Sequence, residues 1–319
     1  MVVLLVALVA TGCLVYRHLS DNIAQVNLEA DIGKQPADLH PQAQNILIVG
    51  SASAQVAAAG AAGAGASEQP GTLMLAHISA DKQWAEIVSI PPDSLASVPS
   101  CATAGAHQGG NPVALGTACT IKALERDTGI YISHFIVMNS GGFKGMMGAL
   151  GGVQESNLTA IDEPRAGLVL APGSHQLTPD QALAYVHSLL APGGISGQAR
   201  ITLQEALAAS LMARARSNLS DPLATYRFLD AFTRSLTIDS QLGGITGLYH
   251  LAQSLHGMLA GKIAFFALPS HQRAGVALAD ATDAPSTQPT DSEIYASFRD
   301  DVPVSHVVLA VADRPVVVP

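Results

Sequence analysis

The chain has 319 residues, enough for one large core or two modest ones, and only 13% of them are charged. Its formal charge is −9 and Lys and Arg nowhere cluster, which excludes the basic face that nucleic acid binding needs to displace counterions from phosphates.

Residues 2–16 are apolar without a break. As a helix they rise about 22 Å, short of the roughly 20 residues that a bilayer span takes. Three readings stay open: a transmembrane anchor, a signal segment with Ala10-Thr-Gly-Cys13 as a lipoprotein cleavage site, and a buried N-terminal helix. Residues 17–44 read as a polar connector with an amphipathic trace. Asn45–Gly50 is a short apolar run closed by Gly, which predicts a buried strand and a tight turn. Residues 52–67 are nearly all Ala, Gly and Ser and predict a flexible loop, low in hydrogen-exchange protection. Thr72–Ser79 and Trp84–Ile90 read as a strand pair turning at Ala80–Gln83. Cys101 and Cys119 bracket a polar, Gly-rich stretch. In an exported chain they predict one disulfide closing a surface loop, and in a cytosolic one two reduced thiols.

Thr120–Thr128 predicts a helix stopped by Gly129, followed by a strand over Ile130–Met138 and a short helix over Gly142–Ala149. Thr178 and Gln181 form a capping box around Pro179, so a helix starts there and runs to about Leu190. Helices are expected over 199–217, 222–236 and 247–259, a strand over 262–268, a loop over 270–291 and a last helix over 291–300. Strands and helices alternate without a linker. This predicts one α/β or α+β domain, a central twisted sheet flanked by helices. The implied boundaries are a membrane or signal segment at 1–16, a connector at 17–44, the domain at 45–300 and a weakly ordered tail at 301–319.

Four stretches carry a resemblance: Asn45–Gly50, Ser89-Ile-Pro-Pro-Asp93, Gly142-Phe143 running to Ala149-Leu-Gly-Gly-Val153, and Gln181-Ala-Leu-Ala-Tyr-Val186. In order and spacing they resemble the LytR-CpsA-Psr family, and the likeness covers about residues 17–300. It implies an apolar cavity that holds a polyprenyl chain, with a charged mouth that holds its pyrophosphate and a magnesium ion. It also implies transfer of a lipid-linked glycopolymer onto peptidoglycan as a phosphodiester. Such a mouth needs Arg forks matched to phosphate oxygens and carboxylates for a hard cation.

Most of those charges are neutral here. Where the family shows Gly-Ser-Asp-x-Arg this chain has Gly50-Ser51-Ala52-Ser53-Ala54, and where it shows Arg-x-Asp-Thr the chain has Gln69-Pro70-Gly71-Thr72. Pro92 replaces an Arg beside a surviving Asp93, Asn139 replaces an Asp, His187 replaces an Arg, and Leu203 replaces an Arg between Arg200 and Gln204. With Ala52 and Gly71 in carboxylate positions, the expectation is that the magnesium site is lost and no metal is bound. The residual polar set is Asp93 and Arg200 as catalytic remnants, with Gln204 and His187 as anion contacts. Phe143, Met146, Met147, Leu150, Leu183, Leu207 and Leu211 are the candidate lipid lining, and ordinary core packing is the competing reading for each.

Two functions follow from the resemblance. One is a catalytically impaired envelope protein that binds polyprenyl-linked glycopolymer or its lipid, with the membrane and active paralogues as further partners. The other is an active phosphotransferase whose mouth is rebuilt on Asp93, Arg200, Gln204 and His187. Other chemistries find no support. Ser94 has no Gly-x-Ser-x-Gly elbow, and His107, His134, His175 and His187 lack metal-ligand spacing.

Overall fold

The structure is a computed structural model. It describes residues 2–51, 73–90, 116–157, 160–163, 168–190, 206–207, 210–211, 214, 221–256, 258, 262–267 and 291–304. The expected loops at 52–67 and 270–290, most of the helix at 199–217 and the tail from 305 onward lie outside these residues.

In chain order the first elements are α1 (Val2–Asn22), β1 (Ala24–Val26), α2 (Glu29–Ile32), β2 (Gln44–Ser51), β3 (Leu73–Ile78), β4 (Ala85–Ser89), α3 (Thr117–Thr128), β5 (His134–Asn139) and α4 (Ser140–Ala149). There follow β6 (Val153–Asn157), β7 (Ile161–Glu163), β8 (Leu168–Leu170), β9 (Gly173–Leu177) and α5 (Pro179–Leu190). The last are α6 (Pro222–Ser235), β10 (Leu236–Asp239), α7 (Gly244–His256), β11 (Ile263–Ala267) and α8 (Asp291–Asp300). Seven strands form one mixed sheet in the order β1-β10-β5-β2-β3-β4-β11. The pairs β1–β10, β5–β2 and β4–β11 are parallel, and β10–β5, β2–β3 and β3–β4 are antiparallel.

The central strands β2, β3 and β4 are buried on both faces, as their Val, Ile and Leu content requires, whereas the margin strand β1 is largely exposed. Leu47, Val49, Leu73, Leu75 and Val88 face Ile121 and Leu124 of α3 and Ile294 and Phe298 of α8. The alternate residues Ile46, Ala76, Ile78 and Ala85 face Leu251 and Leu255 of α7. A second core lies apart from these layers. Met147, Leu150, Val153, Ile161, Leu168, Leu177 and Tyr185 bring together α4, α5 and the ribbons β6–β9 and β7–β8. Phe228 and Phe232 of α6 pack against it, and the sheet supplies Met138.

Local signals account for several boundaries. Gly129 ends α3 at φ 69 and its N–H returns to the Glu125 carbonyl. The capping box forms, with the Thr178 N–H donating to Gln181 Oε1 at 3.0 Å and the Gln181 N–H to Thr178 Oγ1 at 3.3 Å. The strand expected from Ile130 begins only at His134. The Ile132 N–H donates instead to the Glu125 carboxylate, and the Ser133 N–H to the Asn45 carbonyl, so these residues leave the ladder. Helix α1 runs past the apolar stretch to Asn22. Among the described residues no helix is long and apolar enough to cross a membrane.

The C-terminal helix is clamped by buried polar side chains, whose burial favours their neutral forms by lowering the His77 pKa and raising that of Glu86. His77 and Glu86 are cross-strand partners, exposed by 0% and 1%. Asn45 uses its Nδ2 on the Tyr131 carbonyl, so its Oδ1 accepts from His77 Nδ1 at 2.7 Å; His77 Nε2 lies 3.0 Å from Asp301 Oδ1. Glu86 accepts from the Ser297 hydroxyl at 2.6 Å and the Val304 N–H at 2.8 Å. Asp301→Ala removes the acceptor facing a fully buried imidazole and places Ala at φ 51. We expect it to cost about 3 kcal/mol in denaturant unfolding, read by Trp84, which packs on His77. A loss below about 0.5 kcal/mol would show that this contact holds nothing.

Candidate functional site

The sheet register brings the ends of the central strands to one edge. Ser51 at the end of β2 pairs with Asn139 at the end of β5. Val49 pairs with Leu73, the first residue of β3. Ser89, the last residue of β4, pairs with Met74, and the Ile90 N–H donates to the Leu73 carbonyl at 2.8 Å. The chain therefore leaves the sheet before Ala52, enters it after Gly71 and leaves it again before Pro92, all on this edge. These are the positions where phosphate-binding and metal-binding charges were expected. Asp93, Arg200 and Gln204 lie outside the described residues, and His187 is carried by α5.

Asn139 is the polar residue that can be followed atom by atom. Its Oδ1 accepts from the Gly142 N–H at 2.7 Å and caps α4, and its Nδ2 donates to the Ser235 carbonyl at 3.1 Å. Both ends of this amide thus tie α4 to the end of α6. The tie requires close approach, which explains Gly142. A Cβ there would stand 2.0 Å from Ser235 Cβ and 2.5 Å from Ser235 Cα. Gly142→Ala should destabilise the protein by about 3 kcal/mol, the upper range for overpacking. A loss under about 0.5 kcal/mol in chemical denaturation would mean that α4 and α6 part freely.

At this edge Ser89 is buried and the Asn139 amide is committed to structure. A hard cation wants carboxylates. Among the described residues no group of three or more His, Cys, Asp or Glu side chains could hold a metal ion, so these residues do not offer magnesium a site.

Behind α4 the candidate lining converges in part. Met147 is fully buried, Met146, Leu150 and Leu207 nearly so, and Phe143 and Leu211 pack against the same second core. Leu183 is half-buried in α5 and does not join that core.

Sequence reading missed Glu155. It lies on β6, exposed by 1%, on the same strand face as Val153. Among the described residues neither carboxylate oxygen is met at full hydrogen-bond geometry, although the Ser156 N–H and the Tyr185 hydroxyl lie close enough to act on it. Burial pushes its pKa up to about 7, against the weaker opposing pull of the Ser156 N–H and the Tyr185 hydroxyl. Tyr185, fully buried, is pushed upward by burial and by Glu155. The available signal was period two: a strand beginning at Val153 places residue 155 inward.

Cys119 is buried in the first turn of α3, and its expected partner Cys101 lies outside the described residues.

An open mixed sheet, with helices on both faces and an apolar helical lobe joined at one edge, defines a mixed α/β domain. The chain belongs to the LytR-CpsA-Psr family: residues 16–292 match that family. It is similar to the cell wall biosynthesis protein LcpA of Corynebacterium glutamicum, with 30% identity over 153 residues, 47% of this chain and 28% of that protein. It is also similar to the probable cell wall biosynthesis protein LcpB of the same organism, with 26% identity over 198 residues, 60% of this chain and 45% of that protein. The matches thus span less than half the length of either relative. In fold it is similar to a LytR-Csp2A-Psr enzyme from Actinomyces oris, with a TM-score of 0.56, 20% identity, and 80% of this chain and 89% of that one covered. It is likewise similar to TagT bound to LI-WTA, with a TM-score of 0.50, 16% identity, and 76% and 87% covered.

Proposed function

We propose that this chain is a cell-envelope protein that binds a polyprenyl-linked glycopolymer, or its lipid, with impaired transferase chemistry. One contrast carries the reading. At the sheet edge the polar side chain of Asn139 is committed to structure, whereas the adjoining lobe keeps a largely apolar interior around the buried Glu155 and Tyr185. Apolar burial holds a prenyl chain without charges, at about 0.8 kcal/mol per methylene. A pyrophosphate held without Arg partners loses roughly 1.5–3 kcal/mol for each missing charge-assisted bond. The N-terminus of α4 opens at the same edge, and its dipole favours a residual anion.

The location that fits is the outer side of a membrane, with residues 2–16 inserted in the bilayer. The Cys101–Cys119 disulfide belongs to that proposal. Peptide mapping without reduction should recover the two cysteines as one cross-linked species, and two freely alkylated thiols in protein from the native host would refute both the pairing and the location.

The function is tested by extracting the purified full chain and analysing its lipids by mass spectrometry. Polyprenyl phosphates or pyrophosphates should co-purify in near-stoichiometric amounts. Their absence, together with no binding of an added polyprenyl pyrophosphate analogue, would overturn lipid binding. Turnover of a lipid-linked glycopolymer would overturn the impairment.

A further inference from the structure

Among the described residues, exposed large apolar side chains gather around the root of α1. The last turns of α1 are docked. Leu19 and Ile23 are buried, His18 Nε2 lies 2.8 Å from Asp230 Oδ1, and Asn22 Nδ2 donates to Asp230 Oδ1 at 3.0 Å. Tyr16 Oη lies 3.2 Å from Thr246 Oγ1 on α7, and the His18 ring stacks 6.3 Å from Tyr226 on α6. The helix is thus fixed to the body from Tyr16 onward, while Leu14 is 69% exposed.

The two helices that grip α1 add exposed apolar groups at the same place. Leu223, 55% exposed, stands one turn before Tyr226 on α6. Tyr249, 60% exposed, stands one turn after Thr246 on α7. Leu14, Leu223 and Tyr249 therefore surround the point where the apolar run of α1 leaves the body.

We propose that this ring is a lipid-contact collar, which seats the folded body on a bilayer surface. The inference rests on the reading that residues 2–16 insert in a bilayer. Two observations select lipid as the occupant. The ring is continuous with the apolar run itself. It contains Tyr249, with the half-exposed Tyr16 beside it, and the apolar ring and polar hydroxyl of a tyrosine suit the headgroup level. Charge plays no part in the choice: Arg17 on α1 and Arg227 and Arg234 on α6 are matched by Asp21, Asp221 and Asp230 on the same helices.

The chain supplies its own internal control. Trp84 is the single tryptophan. It flanks β4 and packs 4.9 Å from His77 on the face opposite α7, four strands from β10, roughly 19 Å at the usual strand spacing.

The test places full-length Leu223→Trp and Tyr249→Trp variants in phosphatidylglycerol vesicles with brominated acyl chains. Both positions are exposed; Tyr249→Trp gives up the Gln253 contact to the Tyr249 hydroxyl and keeps an aromatic ring beside His250. The added tryptophans should lose most of their emission to bromine and shift to the blue, while Trp84 in the unmodified chain should be unaffected. Quenching of Trp84 to the same extent would place the body differently. Absence of vesicle association would overturn the collar, as would a blue shift without lipid, the mark of a second copy on this surface. The experiment contains no prenyl ligand. A seated collar with no prenyl binding would refute the proposed function alone, and prenyl binding with no quenching would refute the collar alone.

Discussion

Glu155→Gln should flatten the pH dependence of stability that the native chain shows between about pH 4.5 and 7. The carboxyl is buried with its folded pKa at about 7, against an ordinary 4.5. Below 4.5 it is protonated in both states and carries no ionisation penalty. As pH rises toward 7 the unfolded chain releases the proton and the folded one retains it, so stability falls; above 7 the loss is complete. Two and a half units of displacement correspond to about 3 kcal/mol. Glu86 and Glu125 are pushed the same way by burial and steepen the native profile. For that reason the informative quantity is the difference between native and variant. Denaturant unfolding at a series of pH values should show the variant gaining about 3 kcal/mol on the native chain between pH 4.5 and 8. Parallel profiles would mean that the Glu155 carboxylate finds partners or solvent when ionised.

The second large effect is expected at the sheet edge. Ala52→Asp, Gly71→Asp and Pro92→Arg together put two cation-binding carboxylates and one phosphate fork where β2, β3 and β4 meet the edge. Affinity for a polyprenyl pyrophosphate analogue with magnesium should rise by about 3 kcal/mol, or roughly a hundredfold. Each single change should do little, because the carboxylates and the Arg act through the metal and phosphate they share. Pro92→Arg frees a backbone N–H after Ile90, so thermal melting must accompany the titration. A folded triple variant without gain would show an edge remodelled beyond the reach of its old charges. A strong gain from Pro92→Arg alone would show a site already poised around Asp93.

The parts of this fold that were legible share a local cause. β2, β3 and β4 are dense apolar runs ended by Gly, by a polar turn or by Pro; α3 and α5 carry their own stop and start signals in Gly129 and Thr178. What escaped notice had no such local cause. β1 and β10 are three and four residues long; β1 exists because β10 pairs with it, and β10 because β5 and β1 hold it on either side. The ribbons β6–β9 and β7–β8 are polar on one side and take shape against α4 and α5. The site divides along the same line. Gly142 was visible as part of a motif, but its reason, Ser235 at contact, is a long-range fact. Glu155 was invisible because nothing in Val153-Gln-Glu-Ser-Asn157 announces a strand whose inner face is sealed by Tyr185. Leu183 has the right chemistry and helix for the lobe, yet its place on α5 keeps it outside the apolar cluster.

The strand order has a temporal meaning. β1 is held by β10, with Ala24 opposite Thr237, and β4 is flanked by β11, with Ala85 opposite Ile263. Both margins of the sheet therefore wait for segments made late in synthesis, and α8 closes over the sheet later still. Long-range closure of this kind is slow, because the entropy of the intervening loop is lost before contacts repay it. A partly emerged chain therefore lacks the partners of both sheet margins until residues 236–239 and 263–267 are free to pair.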